Sequence, residues 1–141
     1  MSVPAAVIPS TRWRSVRAIA AGFLVTVVLS LTVDEILHLA GVYPPWGDPM
    51  PQPALNALAL SYRCVITVYA MYLTARLAPR APLKHALIGG AIGTVLGTIG
   101  AIGTMPLHLG PAWYPISLAA SALPLAWLGG SIRERQLRAR A

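Results

Sequence analysis

The sequence predicts an all-α membrane protein: a single domain, residues 1-141, folded as an antiparallel bundle of four transmembrane helices with both ends on the cytoplasmic side. Three observations predict it. The chain is 56% hydrophobic and only 11% charged, too apolar for an ordinary water-soluble domain. Its apolar residues gather into four runs, at about 16-39, 55-77, 85-107 and 113-132, each near the roughly 20 residues a helix needs to cross about 30 Å of hydrocarbon. Ten of the eleven Lys and Arg residues fall on one side of a four-span threading. Helices are expected because a backbone in lipid must satisfy its own hydrogen bonds, and runs of this length are not alternating barrel strands.

The first run follows Arg12, Arg14 and Arg17, as a secretory leader would. It is long for such a leader and ends in Asp34, Glu35 and His38 without a small-x-small cleavage site, so a retained helix is expected. Gly22, Thr26, Ser30, Asp34 and His38 recur every four residues and make one small and polar ridge, expected to face protein. The loop at 40-54 holds five prolines among residues 41-53, which exclude helix and favour a stiff cap. Tyr43, Trp46, Trp113 and Tyr114 are placed to sit at head-group depth.

In the second run, Asn56, Arg63, Thr67 and Thr74 share a face by spacing. Cys64, the single cysteine, excludes an internal disulfide. The third run carries Gly89, Gly93 and Gly97 at four-residue intervals, a helix-packing signal expected to serve contact with helix one, a homo-oligomer seam or a membrane partner. The fourth contains Pro124, a site for a bend, and ends in a basic cytoplasmic tail at 133-141.

Charge sets the orientation. Arg12, Arg14, Arg17, Arg76, Arg80, Lys84, Arg133, Arg135, Arg138 and Arg140, less Glu134, sum to +9 on one side. Asp34, Glu35 and Asp48, with Arg63, leave −2 on the other, recovering the overall +7. Positive loops stay in the cytoplasm, so that side is expected inside. The basicity is thereby explained by topology and lipid contact, and no nucleic acid is expected as a partner.

Ionisable groups within a span cost about 2.5 to 3.5 kcal/mol at its centre, so each needs a partner or a task. By the helical rise, Arg63 stands about 20 Å above Arg76 and Asp34 about 25 Å above Arg17. An Asp34–Arg63 pair across helices one and two is therefore expected, with Glu35 the weaker alternative. His38 lies on the same polar cluster, and Glu35-x-x-His38 has the spacing of a carboxylate metal site, which His108 alone could extend. No metal or other cofactor is expected on so few ligands. No phosphate loop, nucleophile elbow or His-Glu-x-x-His motif is present, and a non-enzymatic protein is expected.

Asp34, Pro44-Pro45-Trp46-Gly47, Tyr62-Arg63, the run Tyr72 to Pro79, and Trp113-Tyr114-Pro115 stand in an order that resembles a group of small, uncharacterised four-span bacterial membrane proteins. The resemblance covers about Arg14 to Gly130; it implies a bacterial cytoplasmic (inner) membrane location and no assigned activity. Three roles remain open: a non-enzymatic membrane protein with a structural ion pair, a small-solute or proton-coupled transporter acting as an oligomer, and an accessory subunit of a larger complex. A cavity reaching Asp34 is expected of a transporter, and none of a purely structural pair.

Overall fold

The computed structural model describes residues 11-140, and all regular structure among them is helical. The helices are α1 (Thr11–Leu39), α2 (Pro53–Leu77), α3 (Pro82–Thr104), a single 3-10 turn (Met105–Leu107) and α4 (Trp113–Arg138). Four helices are thus long and apolar enough to span a membrane, the third counted with its 3-10 extension. This is compatible with a small multi-pass membrane protein.

Proline places two helix starts. Pro53 and Pro82 occupy the first turns of α2 and α3, where a missing N–H costs nothing and the fixed φ already suits a helix. Helix α3 accordingly begins at Pro82, three residues before His85. Ala81 precedes it at φ 44° and turns the chain sharply between α2 and α3. Helix α4 continues through the basic segment to Arg138, with Arg135 and Arg138 in its last turn, where cations complement the helix dipole. Pro124 lies inside α4 without ending it.

The distribution of side-chain size is inverted relative to a water-soluble bundle. The buried apolar residues are mostly alanines, among them Ala18, Ala70, Ala75, Ala86 and Ala126. Large aliphatics point outward, with Leu24 65% exposed, Val65 70% and Ile102 68%. Lipid tails are as apolar as leucine, so a large side chain gains little from leaving them, and helices associate through small residues that allow close backbone approach.

Helix α2 packs against the other three, α3 and α4 pack extensively on each other, and α1 lies chiefly on α2. The buried residues of α1 are Ala18, Gly22, Ser30 and Asp34, all on its four-residue ridge. Gly22 is where α1 and α2 come closest: an added Cβ would collide with Thr74 Oγ1 and lie 3.2 Å from the Ala70 carbonyl. Near the basic end, His85 Nε2 stands 2.8 Å from Ser15 Oγ and joins α3 to α1.

The glycines of α3 meet a different neighbour from helix one. A Cβ at Gly90 would strike Ala126, at Gly93 it would lie 3.6 Å from Ala122 Cβ, and at Gly97 3.1 Å from Ala119 Cα, all on α4. Gly89 faces Met71 Sδ of α2 at 3.0 Å. The reason is a matching stripe on α4, where Ala119, Ala122, Ala126 and Gly130 follow in steps of three or four residues, Gly130 against Ala86. The face at Gly93 and Gly97 is thus occupied by α4, while Gly100 and Gly103 meet nothing within 4 Å.

Candidate functional site

The last two turns of α1 carry Asp34, Glu35 and His38 toward the proline-rich end of the molecule, and the first turns of α2 bring Asn56, Tyr62 and Arg63 to the same region. Asp34 is 5% exposed. Its Oδ2 accepts a hydrogen bond from Arg63 Nη2, closing an ion pair between α1 and α2. Its Oδ1 accepts from the Tyr62 hydroxyl. Both carboxylate oxygens are therefore engaged by donors on one partner helix.

Tyr62 is absent from the set of residues that spacing selects. Adjacent helix positions diverge by about 100°, which hides Tyr62 beside Arg63. Their long side chains nonetheless wrap to a common acceptor. A phenol next to Arg63, the basic residue of the second run set apart from the end at Arg76, was the available signal. Tyr43, in the loop, extends the set: its hydroxyl lies 3.4 Å from both the Tyr62 hydroxyl and the Leu55 carbonyl. Burial pushes the Tyr43 phenol above its usual pKa.

Glu35 and His38 turn away from Arg63 and hold the loop. Glu35 Oε2 accepts from Trp46 Nε1 at 2.9 Å. His38 Nδ1 donates to the Pro44 carbonyl, which can only accept. The same ring stacks on Trp46 at 4.2 Å between centroids and meets Tyr43 edge-on at 5.5 Å. Among the described residues, no three His, Cys, Asp or Glu side chains gather where they could hold a metal ion. His108 and His38 line the same cavity but belong to no such group.

That cavity lies at the proline-rich end of the molecule. It has a volume of about 690 Å³ and is walled by Asp34 and His38 of α1, Asn56 and Arg63 of α2, and Tyr114 of α4, together with both loops. Its size falls within the roughly 300 to 1,000 Å³ of small-molecule sites, and it shares their pattern of mostly apolar walls with a few convergent polar groups. The roof is the proline-rich segment, tied down at several points. Met50 N–H donates to the Leu109 carbonyl at 2.6 Å, bridging the two loops. Asn56 Nδ2 donates to the Met50 and Gln52 carbonyls at 2.8 and 2.9 Å, so one buried amide anchors the roof to α2. Gly110 lets the second loop pass close beneath, since a Cβ there would lie 3.2 Å from the Met50 carbonyl.

Arg63 completes the wall unevenly. Its side chain is 26% exposed, Nη2 holds Asp34, and Nε is buried without a hydrogen-bond partner. Toward the basic end the interior is shut: Ala70, Met71, Ala75, Ala86 and Ala126 form a buried cluster, with Thr74 fully enclosed beside it. No protein-family model, curated protein or solved structure matches this chain.

Proposed function

We propose that this chain is a non-enzymatic, multi-pass protein of a bacterial cytoplasmic membrane that holds a small solute in the cavity at its proline-rich end. In this reading the helices form an antiparallel bundle with amino and carboxyl termini inside, supported by the confinement of ten basic residues to one side of the threading. The likeness to small four-span bacterial membrane proteins favours the same location. The cavity then opens on the outer side.

The observation that carries the proposal is the cavity of about 690 Å³ with Asp34 and Arg63 in its wall. An ion pair serving only to set helix register needs no space beside it. The pair here does both tasks, tying α1 to α2 and presenting a polar edge to a mostly apolar chamber. Both Asp34 oxygens are already bonded, and no nucleophile paired with a base lines the chamber, which favours recognition over catalysis.

A second reading, transport of the solute, is favoured by the one-sided closure. A chamber at the proline-rich end, with the interior toward the basic end filled by the alanine cluster around Ala70, matches the form an alternating-access protein takes in one of its two states. Flux of candidate solutes into vesicles containing the purified protein separates the two. Transport predicts uptake that Asp34→Asn abolishes. Saturable binding without uptake supports a binding protein alone, and the absence of both rejects the proposal.

A further inference from the structure

We propose that the occupant of this cavity is an organic monocation, an amine or quaternary ammonium attached to an apolar body. The inference rests on the solute-binding reading above and adds the chemical class.

Charge comes first. Counting Asp, Glu, Lys and Arg, the charged groups that line the cavity are Asp34, Asp48 and Arg63, a net of −1. Asp34 and Arg63 neutralise each other through a direct hydrogen bond, and Tyr62 takes the remaining oxygen of Asp34. The unmatched charge is therefore Asp48, which is exposed and makes no ion pair among the described residues. Glu35 adds a second carboxylate beside the Trp46 rim. The ten remaining basic residues lie near the other helix ends, about 20 Å away, beyond a Debye length of about 8 Å at physiological salt. An anion entering here would approach Asp48 and meet a guanidinium whose charge Asp34 already balances.

The walls decide between an inorganic and an organic cation. No three His, Cys, Asp or Glu side chains gather as metal ligands among the described residues. Aromatic surface is present instead. Trp46 stacks on His38 yet remains 60% exposed, and Tyr43 and Tyr114 line the same chamber. A diffuse cation over such rings is attracted by their quadrupoles and does not need the stripped coordination shell that a small ion demands. Met50, Met105 and Leu109 supply adaptable apolar surface for the rest of the molecule.

The test places a thiol in the chamber and reads its potential. Met105, exposed and on the cavity wall, is changed to cysteine (Met105→Cys) in a Cys64→Ala background, with the full chain in lipid nanodiscs. Its modification is timed with two methanethiosulfonates, one bearing trimethylammonium and one bearing sulfonate, each normalised to a free thiol. The cationic reagent should react about tenfold faster than the anionic one, with the preference falling several-fold in Asp48→Asn. Benzyltrimethylammonium should slow the reaction saturably, whereas benzenesulfonate should not. Trp46→Leu should weaken that protection about tenfold, and Trp46→Phe, which keeps an aromatic ring, should preserve most of it. Trp127→Leu, in the second half of α4, should leave it unchanged.

If the anionic reagent reacts as fast, or if benzenesulfonate or benzyl alcohol protects as well as the quaternary ammonium, the cation class is wrong and the cavity stands. Reaction of both reagents with no protection by benzyltrimethylammonium also rejects the class. A thiol inert to both reagents means that no accessible chamber exists, and the solute-binding reading falls with it.

Discussion

Arg63 is the one basic residue set apart from the basic end, and its guanidinium reaches Asp34 on the neighbouring helix. Removing it by Arg63→Met leaves a nearly buried carboxylate with the Tyr62 hydroxyl as its one remaining donor among the described residues. Loss of one partner of a fully buried pair costs about 3 to 5 kcal/mol. Because the Arg63 side chain is 26% exposed, a smaller loss of about 2 kcal/mol is expected after screening. Tyr62→Phe should cost less, about 1 kcal/mol, and Asp34→Asn combined with Arg63→Met should be less harmful than the sum of the single changes. Reversible unfolding in mixed micelles checks the order; a neutral Arg63→Met would refute it. Tyr43 gives a pH prediction of definite sign. Its pKa is raised in the folded state, so its contribution is complete below the ordinary tyrosine value and is lost as pH climbs through the elevated one. Thermal stability should therefore fall at strongly alkaline pH, and Tyr43→Phe should flatten that fall. At this scale, depth along the helices was legible, because residue count converts directly to rise. The partners of Glu35 and His38 were not, since Trp46 and the Pro44 carbonyl belong to an irregular loop whose path no periodicity encodes.

Among the helices, the small residues of α3 and α4 determine how closely the bundle closes. Their presence on α3 was evident from the four-residue period of Gly89, Gly93 and Gly97, but the identity of the partner was not. A glycine stripe states that something approaches, and only the complementary Ala119, Ala122 and Ala126 stripe states what. Alanine is abundant in every run here, which hid that second half of the signal. Gly129 makes the severest approach that is purely backbone: a Cβ there would lie 2.8 Å from the Tyr72 nitrogen and closer still to the Val68 carbonyl on α2. Gly129→Ala should thus force α4 from α2 and destabilise the protein by about 1 to 3 kcal/mol. Gly100→Ala, which meets open space, should be neutral or slightly stabilising through helix propensity. Equal melting temperatures for the two variants would contradict this packing.

For the molecule as a whole, two asymmetries act along the same axis. Large apolar side chains such as Leu24, Val65 and Ile102 cover the outside of the helices, a surface that requires a hydrocarbon solvent. Along the helix direction, basic residues occupy one end and the roofed cavity with Asp34, Asp48 and Arg63 the other. Under the proposed reading the bilayer couples orientation to solute binding, because an end rich in Lys and Arg resists translocation and would leave the cavity on the far side. This coupling is open to direct test with single cysteines in a Cys64→Ala background. Gln52→Cys sits in the proline-rich loop and Ala139→Cys just beyond α4, both at exposed positions. On intact bacteria a membrane-impermeant maleimide should label Gln52→Cys at once and Ala139→Cys only after permeabilisation. Replacing Arg133, Arg135 and Arg138 by glutamine should erode that asymmetry, since positive charge close to a span favours its retention on the cytoplasmic side. Prompt labelling of Ala139→Cys in unpermeabilised cells would reverse the orientation, and the cavity would then collect its solute from the cytoplasm.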